Sequence, residues 1–210
     1  MSKTESSYYE SLYEVATAIN SAHAPEEVLR SIVESIAKAM NAKGCSLMLL
    51  TPDKKLLLHT TAYGLSDWYV RKGPISADKS ISEALGGKPV AVLDATEDER
   101  VQYREQAKKE GIASILSSPM MLREEIIGVI RIYTSESYHF NMDDMYFVGV
   151  VTNLSAIALE NARLYDTVRK DYDAFRQEML EWRAALGDEW MIQESVVPKE
   201  ESGPVMPPGG

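Results

Sequence analysis

The sequence contains a single cysteine, Cys45, and only three histidines among its 210 residues. One cysteine excludes an intramolecular disulfide framework and a cysteine-only metal cluster. His23, His59 and His139 have no short-range ligand spacing, so a metal site would need long-range convergence. No arrangement of serine, histidine and acid favours nucleophilic catalysis. The sequence therefore predicts no metal site, no catalytic residues and a protein that is not an enzyme.

Basic residues are scarce as well, with 22 Lys and Arg against 32 Asp and Glu and a formal net charge of −10. Because phosphate binding needs clustered Lys and Arg, this balance argues against a nucleic-acid partner. No run reaches the roughly 18 apolar residues that a membrane span requires. Residues 1–10 are polar and lack the apolar centre of a signal peptide. We therefore expect a cytoplasmic protein without a nucleic-acid or membrane partner.

Hydrophobic residues make up 45% of the chain, and their spacing predicts alternating helices and strands. Two amphipathic helices come first, the second beginning at Pro25. Strands are predicted at residues 45–50, 55–63, 89–94, 112–122 and 126–133, and shorter helices at residues 80–85 and 97–110. A long helix follows, with Asn141 as its N-cap and Asp143 and Asp144 in its first turn. Adjacent hairpins imply an α+β sandwich with a mostly antiparallel sheet, the terminal helices on one face and the middle segment on the other.

Several short motifs follow one another along this order of elements. They are Ser80-Ile81-Ser82, Gly87-Lys88-Pro89-Val90 followed by Asp94 and Asp98, Gly111-Ile112 followed by Ser114 and Pro119, residues 127–130 followed by Phe140 and Asp144, and residues 156–165. With these motifs, residues 8–165 resemble a GAF domain, whereas the related PAS fold is not expected to end in a segment like residues 156–165. The resemblance implies a central sheet of five or six strands with a ligand pocket under the middle segment. GAF domains bind cyclic nucleotides, bilins, haem, metal-bound nitric oxide or small organic molecules, so the ligand and any cofactor stay unidentified.

Strand alternation predicts which side chains face that pocket. In the first strand, Ser46 and Met48 alternate with an all-apolar set that begins at Cys45. In the last strand, Arg131 and Tyr133 alternate with a second apolar set. The all-apolar sets suit packing against helices. Ser46 and Arg131 are therefore predicted to form a polar pocket floor, and Cys45 is predicted to be an inert thiol in the core.

The resemblance adds further candidates for the pocket. In cyclic-nucleotide-binding relatives, the positions that match Ser46 and Arg131 contact the base, as does the backbone near Ile81 and Ser82. The position that matches Asp94 lies at the pocket rim. Those relatives carry an acidic residue in place of Arg131 and an Asn-Lys pair after the last strand, which this chain lacks, so cyclic GMP is disfavoured. The full candidate set is Ser46, Met48, His59, Ile81, Ser82, Asp94, Ser117, Arg131 and Tyr133.

Two of these candidates have alternative interpretations. Because an unpaired buried charge is expensive, Arg131 either binds a ligand carboxylate or phosphate or forms a salt bridge to Asp94 or Asp78, unless it lies at an edge open to water. His59 could be a haem or metal ligand or an ordinary histidine that is satisfied or exposed. Bilin-binding relatives use a cysteine elsewhere and an Asp-Ile-Pro motif that is missing here. Relatives that reduce free methionine sulfoxide use several cysteines.

The long helix also carries a heptad pattern, because its apolar residues alternate at spacings of three and four. The resulting seam is formed by Leu154, Ala158, Asn161, Tyr165, Val168, Tyr172, Phe175, Met179, Trp182 and Leu186. This seam predicts a homodimer, either as a coiled coil or as four-helix packing with the first helix. The alternative is a helix folded back on its own domain.

Together with the resemblance, these patterns predict a GAF domain with its N-terminal helices at residues 1–165, a signalling helix at residues 166–186 and a flexible tail at residues 187–210. In sensory relatives such a helix leads into an effector, and here we expect an effector protein in trans. Two functions stay open. One is a regulatory module that senses a small molecule, anionic if Arg131 binds it. The other is a ligand-free dimerisation scaffold whose pocket has collapsed around Met48, Met120 and Met121.

Overall fold

The computed structural model describes residues 3–20, 25–77 and 83–186. Its helices are α1 (Lys3–Asn20), α2 (Pro25–Ala39), α3 (Asp67–Val70), α4 (Arg104–Glu110) and α5 (Met142–Leu186), with a 3₁₀ turn at Ala84–Gly86. Its strands are β1 (Gly44–Leu50), β2 (Leu56–Tyr63), β3 (Ile75–Ser76), β4 (Val90–Val92), β5 (Ser114–Leu122) and β6 (Glu125–Thr134).

The strands form one six-stranded sheet in the order β3-β2-β1-β6-β5-β4. Every neighbouring pair is antiparallel. The first and last long strands, β1 and β6, are therefore neighbours in the middle of the sheet although most of the chain separates them. The predicted α+β fold with an antiparallel sheet is confirmed.

The helix-covered face of the sheet holds the larger core. Cys45 and Leu47 of β1 and Ile130 and Ile132 of β6 are fully buried there, in one cluster with apolar residues of α1, α2 and α5. The strand alternation predicted from the sequence is thus confirmed, as is the place of Cys45 in the core. Burial raises the pKa of the Cys45 thiol well above its usual range, so the thiolate is disfavoured. Met120 also belongs to this core, so the prediction that it closes a collapsed pocket on the other face is wrong.

The start of α5 is capped as predicted. Asn141 Oδ1 accepts hydrogen bonds from the backbone N–H groups of Asp143, at 2.8 Å, and Asp144, at 3.0 Å. Asp144 Oδ2 accepts in return from the Asn141 N–H at 2.9 Å, which completes a reciprocal capping box. The same carboxylate accepts from the Tyr8 hydroxyl at 2.5 Å and from the Tyr138 hydroxyl at 3.1 Å. Asp144 therefore joins α1 to the beginning of α5.

The middle of the chain packs on the opposite face of the sheet, also as predicted. Tyr69 of α3 and Ala107 of α4 are buried against Ile115 of β5 and Tyr133 of β6. A neighbouring cluster is formed by Met48, Leu57, Ile75, Ala84 and Val129. The face opposite the helices is therefore covered by α3, α4 and described residues between them such as Ile75 and Ala84.

Three local predictions for this middle segment need correction. The charged helix expected at residues 97–110 begins only at Arg104, because Asp98 Oδ1 accepts from the Arg100 N–H at 2.9 Å and holds a turn there. The short elements α3 and β3 were not expected at all. The helix expected at residues 80–85 lies partly outside the described residues, and its described end is a 3₁₀ turn.

The chain divides into two units, Met1–Leu164 and Tyr165–Gly210, and α5 contributes residues to both. Within the three described ranges, no helix has both the length and the apolar content that crossing a membrane requires. The predicted tail at residues 187–210 lies outside the described residues. The division of the chain at residues 165 and 186 stays a prediction.

Candidate functional site

The polar floor predicted from strand alternation is present on the face opposite the helices. Arg131 of β6 lies directly across from Ser46 of β1 on one side and from Ser117 of β5 on the other. All three are buried, Arg131 with only 5% of its surface exposed. The Nε of Arg131 donates a hydrogen bond to Ser117 Oγ at 3.1 Å. We call Ser46, Ser117, Arg131 and Tyr133 the polar floor.

Tyr133 joins this floor to the covering segment. Its hydroxyl oxygen lies 3.0 Å from Ser46 Oγ, so the two groups share a hydrogen bond. Its ring meets the ring of Tyr69 edge to face, with centroids 6.0 Å apart and an interplanar angle of 86°. Burial raises the pKa of Tyr133, and the positive charge of Arg131 opposes that change. Tyr133 is therefore a neutral hydroxyl within the floor.

Two further basic groups lie on the same face of the sheet as Arg131. His59 of β2 faces Met48 across the strand pair, and its Nε2 is 3.2 Å from the Nζ of Lys72, just after α3. Lys72 Nζ also donates to the Tyr69 carbonyl oxygen at 3.0 Å and lies 3.6 Å from the centre of the Tyr69 ring. Three basic side chains therefore share one face of the sheet in an otherwise acidic protein, with His59 and Lys72 in direct contact and Arg131 close enough to affect the pKa of both.

The electrostatics of these basic groups reflect burial and mutual repulsion. Burial, followed by the charges of Lys72 and Arg131, lowers the pKa of His59 to about 3. Burial, followed by the charge of Arg131, lowers the pKa of Lys72 to about 7, although Glu110 partly offsets this effect. At neutral pH, His59 is therefore uncharged and Lys72 is a mixture of amine and ammonium.

These pKa values predict how stability depends on pH. Because the pKa of Lys72 is lower in the folded protein than the usual 10.5, its contribution to stability is least favourable below about pH 7 and rises toward pH 10. Replacing Lys72 with methionine is therefore expected to stabilise the protein at pH 7, with a gain that shrinks as the pH rises. Urea unfolding at pH 7, 8.5 and 10 measures this. The exposed Lys88→Met control should show no such trend; an equal trend in both variants would contradict the prediction.

The structure does not bring together all of the predicted candidates. Asp94 is exposed, and its Oδ1 accepts from the backbone N–H and the hydroxyl of Thr96, at 2.9 and 2.7 Å. Met48 is buried in the apolar cluster beside the floor. Ile81 and Ser82 lie outside the described residues, as does Asp78, one of the two predicted salt-bridge partners of Arg131. The role of the candidate set in ligand binding stays a prediction.

Sequence reasoning missed Lys72 and Tyr69. Both belong to a stretch of mixed aromatic and basic residues between Gly64 and Gly73 that is too short to show helical periodicity. The one-turn helix α3 places Tyr69 against the sheet, and Lys72 follows it toward His59. Among the residues that the structure describes, no three His, Cys, Asp or Glu side chains converge as metal ligands.

A separate groove of about 470 Å³ lies between α1 and α2. Its lining includes Glu14, Glu27, Tyr13 and Val28. Ser35 Oγ donates to a carboxylate oxygen of Glu14 at 2.9 Å at the side of this groove. Two carboxylates make the groove unfavourable for an anionic ligand, so the basic cluster beside the polar floor is the better candidate for such a ligand.

Comparison with known proteins identifies the family. The family model described as "GAF domain" matches residues 22–160, which include every strand of the sheet. The chain belongs to the GAF domain family. This GAF domain thus has a covered sheet face that holds buried polar and basic side chains, and its family supports a sensory or regulatory role.

Individual relatives of this GAF domain are distant. A protein named methyl sulfide methyltransferase-associated sensor, from Methanosarcina acetivorans, is 24% identical over 158 residues, which are 72% of this chain and 16% of that protein. The chain therefore spans about a sixth of the length of that relative. The GAF domain of a phosphoenolpyruvate-protein phosphotransferase from Coxiella burnetii has a TM-score of 0.69 at 21% identity, covering 79% of this chain and 99% of that chain.

An enzyme is also among the similar structures. The free methionine-R-sulfoxide reductase from Neisseria meningitidis, in complex with its substrate, has a TM-score of 0.66 at 15% identity. The match covers 79% of this chain and 95% of that chain. At such identities, the structural likeness shows the shared fold and does not transfer an activity.

Proposed function

We propose that this GAF domain senses a small anionic molecule, which binds beside the polar floor, and that it signals in trans as a cytoplasmic homodimer. The observation that carries the proposal is the convergence of His59, Lys72 and Arg131 on the covered face of the sheet. A guanidinium group presents donors in a geometry that matches a carboxylate or phosphate. An anion placed there would relieve the repulsion that lowers the pKa values of His59 and Lys72.

The composition of the protein strengthens this proposal. The net charge of −10 repels small anions over most of the surface, so a group of basic side chains made of buried Arg131 and half-buried His59 and Lys72 is a local exception. The hydroxyl groups of Ser46, Ser117 and Tyr133 surround Arg131 and could donate further hydrogen bonds to an anion. In this proposal the basic groups attract the anion, and the hydroxyl groups select among anions by hydrogen bonding.

Replacing Arg131 with methionine is expected to weaken anion binding by about tenfold to hundredfold, because one charge-assisted contact is lost. Isothermal titration with acetate, lactate and inorganic phosphate measures the effect. Arg131→Lys, which keeps the charge but not the planar geometry, should retain part of the affinity. Arg71→Met is the matched control, because Arg71 is exposed. Unchanged affinity in Arg131→Met, or no binding of any of the three anions by the wild-type protein, would contradict the proposal.

The proposal of a homodimer rests on α5. The seam residues Tyr165, Tyr172, Phe175 and Trp182 follow one another at spacings of seven, three and seven, as a heptad seam requires, and each is at least 60% exposed in the single chain. On α1, Tyr9 and Tyr13 are exposed as well. Aromatic side chains repeated along one helix face favour burial against another helix. A second copy of the chain supplies an identical seam. The Asn161 side chains of the two copies could then form a hydrogen bond with each other.

Replacing Phe175 or Trp182 with aspartate is expected to raise the dimer dissociation constant by about tenfold to hundredfold, because each change removes one buried aromatic side chain per protomer. Analytical ultracentrifugation over a range of concentrations measures this. Gln177→Asp is the matched control, because it adds the same charge on the opposite side of the helix. A monomeric wild-type protein, or equal effects at positions 175 and 177, would show that the seam does not hold a dimer.

We propose no enzymatic activity for this chain. The similar methionine sulfoxide reductase raises that alternative, yet Cys45 is the single cysteine in the sequence. Cys45 is fully buried among apolar residues on the helix-covered face, away from the polar floor. A buried thiol without a second cysteine cannot complete a reducing cycle through an intramolecular disulfide. The ligand-free scaffold remains the second candidate, supported by the exposed seam on α5.

A further inference from the structure

Lys72 differs from Arg131 in chemical type, because a lysine amine that has lost its proton is a nucleophile. Its Nζ is held at three points: 3.2 Å from His59 Nε2, 3.0 Å from the Tyr69 carbonyl oxygen and 3.6 Å from the centre of the Tyr69 ring. The ring of Tyr103 lies 5.7 Å away on another side. Lys72 as a whole residue is half-buried.

The surroundings of Lys72 increase the fraction of free amine at neutral pH. Burial and the nearby charge of Arg131 lower the pKa of Lys72 to about 7, while Glu110 acts in the opposite direction. His59 is uncharged under these conditions and so adds no repulsion of its own. Desolvation together with a neighbouring cation is a known means of making a lysine nucleophilic. An ordinary surface lysine is almost entirely protonated at pH 7 and reacts slowly.

We propose that Lys72 captures a small 2-oxo acid as a reversible imine, with the carboxylate of that acid held at Arg131. The proposal rests on the proposed function, since it assumes that the site takes an anion, and it adds the chemical class of that anion. A 2-oxo acid carries a carbonyl carbon next to a carboxylate. It therefore suits this site, where the Lys72 amine lies 3.6 Å from the Tyr69 ring, and that ring meets Tyr133 of the polar floor that also holds Arg131.

The reaction is balanced without any further co-reactant. The lone pair of the Lys72 amine attacks the carbonyl carbon, and the electrons of the C=O bond move to the oxygen. Transfer of a proton from nitrogen to that oxygen gives a carbinolamine. The hydroxyl group then leaves as water after a second proton transfer, and a C=N bond forms. Hydrolysis reverses each step, so the complex forms and dissociates as the concentration of the 2-oxo acid changes.

His59 acts in this scheme as a positioning residue. Its Nε2, at 3.2 Å from Lys72 Nζ, keeps the amine oriented toward the sheet. Its lowered pKa makes it a weak base, so it holds the amine and does not itself remove a proton. Replacing His59 with glutamine, which retains a hydrogen-bonding group, should preserve part of the reactivity of Lys72.

Reductive trapping of the full chain tests the proposal. The protein is incubated with glyoxylate and cyanoborohydride at pH 7, and peptide mass spectrometry quantifies carboxymethylation at each lysine. We expect Lys72 to be modified at least tenfold faster than the exposed Lys88 of the same molecule. Lactate has the carboxylate but no ketone, so it should slow modification at Lys72 and leave Lys88 unchanged. Arg131→Met should slow modification at Lys72 alone.

The outcomes separate this proposal from the proposed function. If Lys72 reacts no faster than Lys88, imine capture is overturned. Both lysines belong to the same wild-type molecule, so this comparison does not depend on the folding of a variant. If lactate binds by titration but Lys72 remains unmodified, the anion sensor stands and imine capture fails. If neither lactate nor any other anion binds, the proposed function fails as well. Rapid modification that lactate and Arg131→Met leave unchanged would show a reactive lysine without the proposed carboxylate contact, and would also overturn the proposal.

Discussion

Replacing Asp144 with alanine is expected to lower the free energy of unfolding by about 3–4 kcal/mol. The Asp144 side chain is 1% exposed and accepts hydrogen bonds from the hydroxyls of Tyr8 and Tyr138 and from the Asn141 N–H. Alanine removes all of these acceptors at once and leaves the buried Tyr8 hydroxyl without its partner. The Tyr8 ring is stacked on Phe147 at a centroid distance of 4.2 Å, so it cannot easily turn toward water. Urea unfolding followed by circular dichroism measures the loss.

A double-mutant cycle isolates this contact. Tyr8→Phe keeps the stacked ring and removes only the hydroxyl, so it is expected to cost about 1–2 kcal/mol. In the background of Asp144→Ala, the same change should cost little, because the hydroxyl has already lost its acceptor. Asn141→Ala removes the cap alone and should cost about 1 kcal/mol. Equal effects of Tyr8→Phe in the two backgrounds would show that the two side chains do not interact.

Replacing Gly128 with alanine is expected to destabilise the protein by about 3 kcal/mol or more, since the new methyl group overlaps backbone. A Cβ at position 128 would lie 2.3 Å from the carbonyl oxygen of Met48 and 3.3 Å from the Cα of Leu49. Both atoms belong to β1, the central neighbour of β6, so neither can move without disturbing the middle of the sheet. Chemical unfolding of the full chain measures the effect.

Gly149→Ala is the matched control for Gly128→Ala. Gly149 lies inside α5, and a Cβ there would meet no atom within 4 Å. Alanine should therefore stabilise the protein by about 0.5–1 kcal/mol, because glycine costs conformational entropy within a helix. The same chemical change is thus expected to have opposite signs at the two positions. Destabilisation of similar size at both would indicate that steric overlap at position 128 is not the cause.

Much of the fold could be predicted from local patterns. The alternation in β1 and β6 placed Cys45 toward the helices and Ser46 and Arg131 on the other face, and the structure confirms both placements. The N-cap at Asn141 was predictable because it depends on residues within one turn. By contrast, residues 97–103 carry enough charge to resemble a helix start, yet the local bonds of Asp98 hold a turn there.

Only the part of the candidate site that lies on the strands could be predicted from the sequence. The polar floor follows from the period of two in the strands, which is a property of the sequence itself. Asp94 is expected at the pocket rim from the family resemblance, and this stays a prediction; its carboxylate accepts hydrogen bonds from Thr96, two residues away. Lys72 was missed because its importance depends on His59 and Arg131, which lie on two other elements. A local sequence pattern does not predict which residues of different elements lie close together.

The sequence by itself determined the α+β class, the two faces of each central strand and the cap of α5, because each depends on residues within one or two turns or one strand. Only the tertiary structure decided which distant groups meet. Tyr8 bonds to Asp144 across 136 positions. Lys72 contacts His59 of β2, and Arg131 of β6 shares a sheet face with them only once β1 has paired with both β2 and β6. The physical reason is that local periodicity selects a buried face, whereas packing of the whole chain selects the neighbours on that face.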